Sequence, residues 1–252
     1  MQWQTLAATL FPLGHTVAAQ DDFLSGEAQV EGGGAGGGGA GETATVAVIG
    51  TTGHAPIGVE IALAQATAIL RTVREHPGRA IVILVDTQGQ RLRHRDEMLG
   101  INSYMAHLGK CVELARRRGH KIVALVYDQA LSGGFITSGL MADACYALPD
   151  ATIRVMGLAA MARITKVPEE LLTELALSNP VFAPGPENYL RMGGLRAIWD
   201  PAGADLAALL KEALLEPSAG DDRSALGLTR GGRLMAQPVI AAIMAGGHVI
   251  AA

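Results

Sequence analysis

The chain reads as an α/β protein built from a repeated strand–strand–helix step and finished by a helical C-terminal part. Three observations carry that reading. Residues 80–85 and 122–127 are continuous apolar runs, the character of strands covered on both faces. Each run leads into a glycine turn, Thr87-Gln88-Gly89-Gln90 in the first case and Ser132-Gly133-Gly134 in the second. The segments before and between them repeat apolar residues at helical spacing.

In chain order, residues 1–30 read as a short amphipathic helix and a connector. Glu31 to Gly41 is nearly all glycine. It matches G-x-G-x-x-G trivially, but it precedes a strand, whereas a dinucleotide fingerprint follows one and opens a helix. It reads as a flexible surface loop. These first 43 residues are set apart from a main domain at 44–252. Strand 44–49 passes through Gly50-Thr51-Thr52-Gly53 to Pro56, a good first-turn residue for a helix. That helix buries Val59, Ala62, Leu63, Ala66, Ile69, Leu70 and Val73 and stops at Pro77-Gly78. After strand 80–85, a helix over 99–118 places Ile101, Met105, Leu108, Val112 and Ala115 on one side and ends at Gly119. Strand 122–127, its Ser-Gly-Gly turn and a helix over 135–141 follow. Two short strands near 145–148 and 152–155 run into Gly157. Beyond Pro168 helices are expected over 168–177, 205–214 and 238–245, separated by loops holding Asn179-Pro180 and Pro184-Gly185-Pro186. Right-handed crossovers complete the expected topology.

The 252 residues are 49% hydrophobic and 17% charged, an apolar balance for a chain without a membrane span. An α/β core rich in Ala, Val and Leu explains part of it, and a large subunit interface is expected to explain the rest. A net charge of −4 gives no hint of nucleic acid. No apolar run approaches the ~18 residues of a transmembrane helix. Met1-Gln2-Trp3-Gln4 lacks the basic start of a secretory signal. Cys111 and Cys145 lie in a helical and a strand-like segment and read as buried thiols of a reducing, cytoplasmic compartment. No His/Cys cluster has metal-ligand spacing, and no metal is expected.

Two strand-end glycine turns with a helix between them can supply one backbone N–H each to a single oxyanion. Glycine lets a substrate approach bare backbone, and a helix start adds unpaired donors and partial positive charge. That points to thioester chemistry. Strand-end glycines also serve turn geometry and close packing, which is the competing reading. Ser132 reads as an N-cap rather than a nucleophile, since there is no G-x-S-x-G elbow and no histidine assignable as its base. His54 reads as a loop or capping residue, His94 and His107 as solvent-facing or packed, and Tyr104 as core. The run Arg91-Leu92-Arg93-His94-Arg95 is either a contact for an anionic substrate or carrier, or a solvated basic loop.

The order Val85-Asp86-Thr87-Gln88-Gly89-Gln90, helix, apolar strand, Ser132-Gly133-Gly134 resembles the carboxyltransferase branch of the crotonase superfamily. That branch has Asp-Thr-Pro-Gly in its first turn and Gly-Ser-Gly-Gly in its second. Arg154-Val155-Met156-Gly157-Leu158-Ala159 resembles the strand-to-helix step that follows. Within the branch, Val48 to Gly58, Tyr127 to Phe135 and Asn179 to Gly185 are similar to the gamma subunits of malonate decarboxylases. The similarity leaves the glycine tract outside it, and Gln88 departs from the proline of acyl-CoA carboxylases.

The resemblance implies a crotonase-like spiral of β-β-α units and decarboxylation of a malonyl thioester to an acetyl thioester and CO2. It places oxyanion donors at Gly89 or Gln90 and at Gly133 or Gly134, with Thr87, Gln88, Ser132, Gly157 and Leu158 around the substrate. It implies a homologous beta subunit and an acyl carrier protein whose pantetheine-type prosthetic group carries the acyl chain, with no cofactor held by this chain alone. Which of the paired oxyanion holes receives the thioester stays open. The alternative is a carboxyltransferase subunit that passes a carboxylate between an acyl thioester and biotin. Two further rivals are a nucleotide-binding domain using Gly50-Thr51-Thr52-Gly53 and a catalytically silent scaffold for the partner.

Overall fold

The computed structural model describes residues 1–32, 43–178, 185–217 and 220–246. The glycine tract beyond Gly32 and residues 179–184, both expected as loops, lie outside the described residues. In chain order the elements are α1 (Trp3–Leu10), β1 (Ala18–Gln20), β2 (Phe23–Glu31), β3 (Thr43–Thr51), β4 (Ala55–Ile57), α2 (Val59–Glu75) and β5 (Ile81–Gln90). Then come α3 (His94–Met98), α4 (Ile101–Arg117), β6 (Ile122–Leu131), α5 (Ser132–Thr137), β7 (Ala144–Ala147) and β8 (Thr152–Arg154). The C-terminal part holds α6 (Leu158–Thr165), α7 (Glu169–Ser178), α8 (Pro186–Arg191), β9 (Ala197–Ile198), α9 (Leu206–Leu215), α10 (Arg223–Thr229) and α11 (Ala236–Gly246).

The main sheet runs β1-β2-β3-β5-β6-β7-β9, antiparallel through β1, β2 and β3 and parallel from β3 onward. Successive residues of a strand face opposite sides, and both sides of this sheet are covered. Val82 and Leu84 of β5, with Val123, Leu125 and Tyr127 of β6, pack with Leu6, Leu10, Leu206 and Leu210 from α1 and α9. Ile81, Ile83 and Val85, with Ile122, Ala124 and Val126, pack against Ala66, Ile69, Leu108 and Val112 from α2 and α4. The unbroken apolar runs of the sequence are the consequence. Two short strands stand off the main path: β4 pairs with the end of β5, and β8 with the end of β6.

The N-terminal segment departs from expectation. The connector is in fact β1 and β2, and β2 pairs with β3 over its whole length, from Phe23↔Thr51 to Glu31↔Thr43. The main sheet therefore crosses the boundary expected at residue 44. A second correction concerns Pro56, which sits in β4 and not at a helix start; α2 begins three residues later behind Gly58. Pro has no N–H to donate, so a short edge strand suits it. The residues expected as a turn, Thr87 to Gln90, instead continue β5 and pair with β4. At the far end, α11 has no buried residue, and Val239, Ile240, Ile243 and Met244 are exposed on it. Among the described residues no helix is long and apolar enough to cross a membrane.

Candidate active site

Both glycine segments grow from the ends of the central strands. β5 and β6 pair in step as far as Val85↔Val126 and then resume at Thr87↔Ala130. One residue of β5, Asp86, thus faces a three-residue bulge on β6, residues 127–129. A bulge leaves backbone groups without ladder partners, and buried ones must find others. The Gln129 N–H donates to Asp86 Oδ1 at 3.3 Å, and the His54 N–H donates to Oδ2 at 2.9 Å. Asp86 donates its own N–H to Thr51 Oγ1 at 3.3 Å, while the Tyr127 hydroxyl donates to the Thr51 carbonyl at 2.9 Å. Burial pushes the Asp86 carboxyl above its ordinary range; the two N–H groups and the His54 imidazole act against that, and Asp128 adds to it.

His54 is held in left-handed backbone, φ 53°. Its Nε2 lies 3.4 Å from Asp128 Oδ1 and 3.8 Å from Asp86 Oδ1. From the loop before β4 its side chain thus meets two carboxylates. These three side chains have ligand-type atoms within 4.8 Å of one another. Both Asp86 oxygens already accept backbone N–H groups, and no metal role is assigned to them.

Beyond Asp86, the buried Thr87 hydroxyl donates to the Ala55 carbonyl at 2.6 Å and accepts the Gly89 N–H at 2.9 Å. That bond occupies the Gly89 donor. Gln90 faces the other way. Ile57 pairs with Gln90 in parallel register, and Arg91 N–H donates to the Ile57 carbonyl at 2.9 Å. In a parallel ladder this turns the Gln90 N–H away from β4, toward the side where α5 begins.

There the chain makes a close crossing. Gly89 has φ +95°, and a Cβ on it would fall 2.8 Å from the Leu131 carbonyl oxygen and from Ser132 Cβ. A Cβ on Gly134 would lie 3.0 Å from Ile57 Cδ1 and 3.1 Å from the Gly89 backbone. Both glycines are needed for packing. Gly133 is different: a Cβ there would meet nothing nearer than Gln90 Oε1, at 3.7 Å. As the second residue of α5 it also lacks an intrahelical acceptor for its N–H. With six residues, α5 adds little dipole, so its contribution is those N–H groups.

Ser132 is not the N-cap. Leu131 holds that position, and Ser132 opens α5 with φ 53°, a left-handed conformation that costs a non-glycine residue about 1–2 kcal/mol. Gln88 is exposed near the end of β5. Gly157 caps α6 and Leu158 begins it, just beyond β8, whose Arg154 pairs with Leu131. The candidate residues thus gather at the ends of β5, β6 and β8. Sequence reading missed the Asp86–His54–Asp128 cluster. The available signal was a single acid closing an apolar run immediately before the glycine segment.

The structure weighs against two other readings. Gly50 lies against Leu84, where a Cβ would come 2.3 Å from its carbonyl oxygen, and Thr51 is spent on Asp86 and Tyr127. The chain then enters β4, not a helix, so residues 50–53 form no phosphate cradle. The basic run is largely internally paired. Arg93 grips the buried Asp96 carboxylate with two bonds of 3.0 Å, which holds that carboxyl below its usual range, and Arg95 pairs with Glu60.

Comparison with known proteins finds relatives of this chain. Residues 52–247 fit the family described as malonate decarboxylase gamma subunit. The malonyl-S-ACP:biotin-protein carboxyltransferase MADD of Malonomonas rubra is 34% identical over 204 residues, 73% of this chain and 70% of that protein. A chain of a Pseudomonas malonate decarboxylase hetero-tetramer, solved with coenzyme A, superposes with a TM-score of 0.71 at 26% identity, covering 97% of this chain and 96% of that one. Transcarboxylase 12S shares the fold at 18% identity and TM-score 0.65, over 84% of this chain and 41% of its own. The protein belongs to the malonate decarboxylase gamma subunit family, on the crotonase-type carboxyltransferase fold.

Proposed function

We propose that this chain works beside a homologous beta subunit to decarboxylate a malonyl thioester carried on the pantetheine-type arm of an acyl carrier protein. The bond to the carboxylate breaks, its electron pair enters the thioester carbonyl, and CO2 leaves. The enolate then takes a proton at carbon to give the acetyl thioester. The protein's task is to meet the displaced negative charge with donors already in place. Removing one such donor in other enzymes costs about 10²–10³ in rate.

The observation that carries this reading is the open position of Gly133 beside Gln90. We assign the two donors to the N–H groups of Gln90 and Gly133. Gly89 and Gly134 instead form the close crossing that sets their spacing, since the Gly89 N–H is already bonded to Thr87. Thr87 ties that crossing to β4 through the Ala55 carbonyl, and we assign Gln88, Ser132, Gly157 and Leu158 to the surroundings of the substrate. The apolar exposed face of α11 and the 49% hydrophobic composition support an obligatory partner. Cys111 and Cys145 are both free and buried, which supports a cytoplasmic site of action.

A second reading has a specific basis, the 34% identity to a carboxyltransferase that names biotin-protein as its acceptor. There the carboxylate would pass to biotin instead of leaving as CO2. The discriminating experiment measures CO2 release from malonyl-carrier protein by the co-expressed complex, with and without avidin. Release that requires both subunits and ignores avidin is the expected result. Release abolished by avidin would establish the carboxyltransferase instead.

A further inference from the structure

We propose that Asp86 is a positioning residue that sets the spacing of the two donor segments, and that His54 and Asp128 control how well it does so. The proposal rests on the assignment of Gln90 and Gly133 as donors. Asp86 is 4% exposed at its side chain and lies one residue before Thr87, at the point where β5 and β6 fall out of step. Its two oxygens tie down separate strands. One takes the His54 N–H at the corner that leads into β4, the strand that pairs with residues 87–90. The other takes the Gln129 N–H in the bulge of β6, four residues before Gly133. A carboxylate satisfies both N–H groups at once. A protonated carboxyl or an amide surrenders one acceptor position to a hydrogen, so one strand is released. Misplacement by about 1 Å can cost roughly 10²-fold in rate.

The charge on Asp86 is therefore part of the device, and its surroundings oppose each other. His54 and Asp128 are half-exposed and face it from the β3–β4 corner and from β6. A protonated His54 imidazole stabilises the carboxylate, and the Asp128 charge destabilises it. Among the described residues, Tyr127 also acts on this cluster, with its hydroxyl bonded to Thr51, and Asp22 lies beside Gly53, next to His54, where its Oδ1 comes within 3.3 Å of a Cβ placed on that glycine. Burial keeps the Tyr127 phenol neutral by raising its ionisation far above neutral pH.

The test uses the complex assembled with its partner subunit. Asp86→Asn is expected to lower kcat by roughly ten- to a hundredfold with KM within about twofold, because ground-state binding does not depend on the spacing. His54→Gln and Asp128→Asn, both on half-exposed side chains, are expected to move the acid limb of the kcat–pH profile in opposite directions. Losing the imidazole makes Asp86 protonate more readily and shifts the limb to higher pH; losing Asp128 shifts it to lower pH. A structural role alone would not separate these two. Full kcat in an intact Asp86→Asn complex, or acid limbs that stay put or move together, would overturn the proposal. If Asp86→Asn fails to assemble, the two half-exposed variants decide it. A Gly133→Val complex run alongside separates this idea from its foundation. Retained turnover there overturns the donor assignment, whereas lost turnover with unmoved limbs overturns only the role of Asp86.

Discussion

Gly133 and Gly134 are adjacent in the chain and opposite in their surroundings. Gly134 is buried against Ile57 and the backbone of Gly89, where a single added carbon would sit at 3.0–3.1 Å. Gly133 has free space where its own Cβ would point, up to Gln90 Oε1 at 3.7 Å. A paired-glycine motif therefore mixes two physical demands. One glycine lets two backbones cross, and the other leaves room for something that is not protein.

The largest effect is expected at the crossing. Gly134→Val should destabilise the chain by about 1–3 kcal/mol through overpacking against a fully buried Ile57. It should also bring turnover of the complex to background, because β5 must shift. Thermal denaturation of the complex alongside its CO2 release measures both. A Tm equal to wild type would mean that the crossing is less tight than the distances imply. Next comes Thr87→Val, which keeps the shape but leaves the Gly89 N–H and the Ala55 carbonyl without their shared partner. Burying such unpaired groups costs about 1–3 kcal/mol, read as a lower urea midpoint with an unchanged slope. The smallest change is expected from Ser132→Gly. Relief of left-handed strain, about 1–2 kcal/mol, is offset by the extra unfolded-state freedom of glycine, about 0.5–1 kcal/mol. Stability should hold within about 1 kcal/mol, so a several-fold fall in kcat/KM would expose a substrate contact of the Ser132 hydroxyl. Unchanged kinetics would remove Ser132 from the site.

The same contrast explains what the sequence could reveal. Helices α2 and α4 and the bodies of β5 and β6 are legible because each buries a regular stripe or a continuous run. The last residues of those strands are not legible. Gln88, Gly89 and Gln90 have no apolar alternation, and only the pairing with β4 makes them extended. β2 was missed although Leu24, Gly26, Ala28 and Val30 alternate with Ser25, Glu27, Gln29 and Glu31; the small Gly26 and Ala28 on the inward face weaken the apolar signal, and Leu24, Ala28 and Val30 are buried by α1 and the sheet. In the site, the glycine segments were visible as motifs. The division of labour between Gly133 and Gly134 was not, since it depends on Ile57, more than 70 residues upstream. Asp86 likewise meets His54 and Gln129 at separations of 32 and 43 residues.

The central claim is that the space beside Gly133 receives the charge displaced from a malonyl thioester. Its most direct test is single-turnover CO2 release by the partner-bound complex, wild type against Gly133→Val. The substitution adds carbons where the protein has room, so the complex should assemble with a Tm close to wild type. CO2 release from that intact complex should fall by about 10²-fold or more, the order of a lost oxyanion contact, because the valine side chain occupies the space where the oxyanion would reach the residue-133 N–H. Undiminished release from an intact Gly133→Val complex would contradict the account and move the chemistry to the partner subunit.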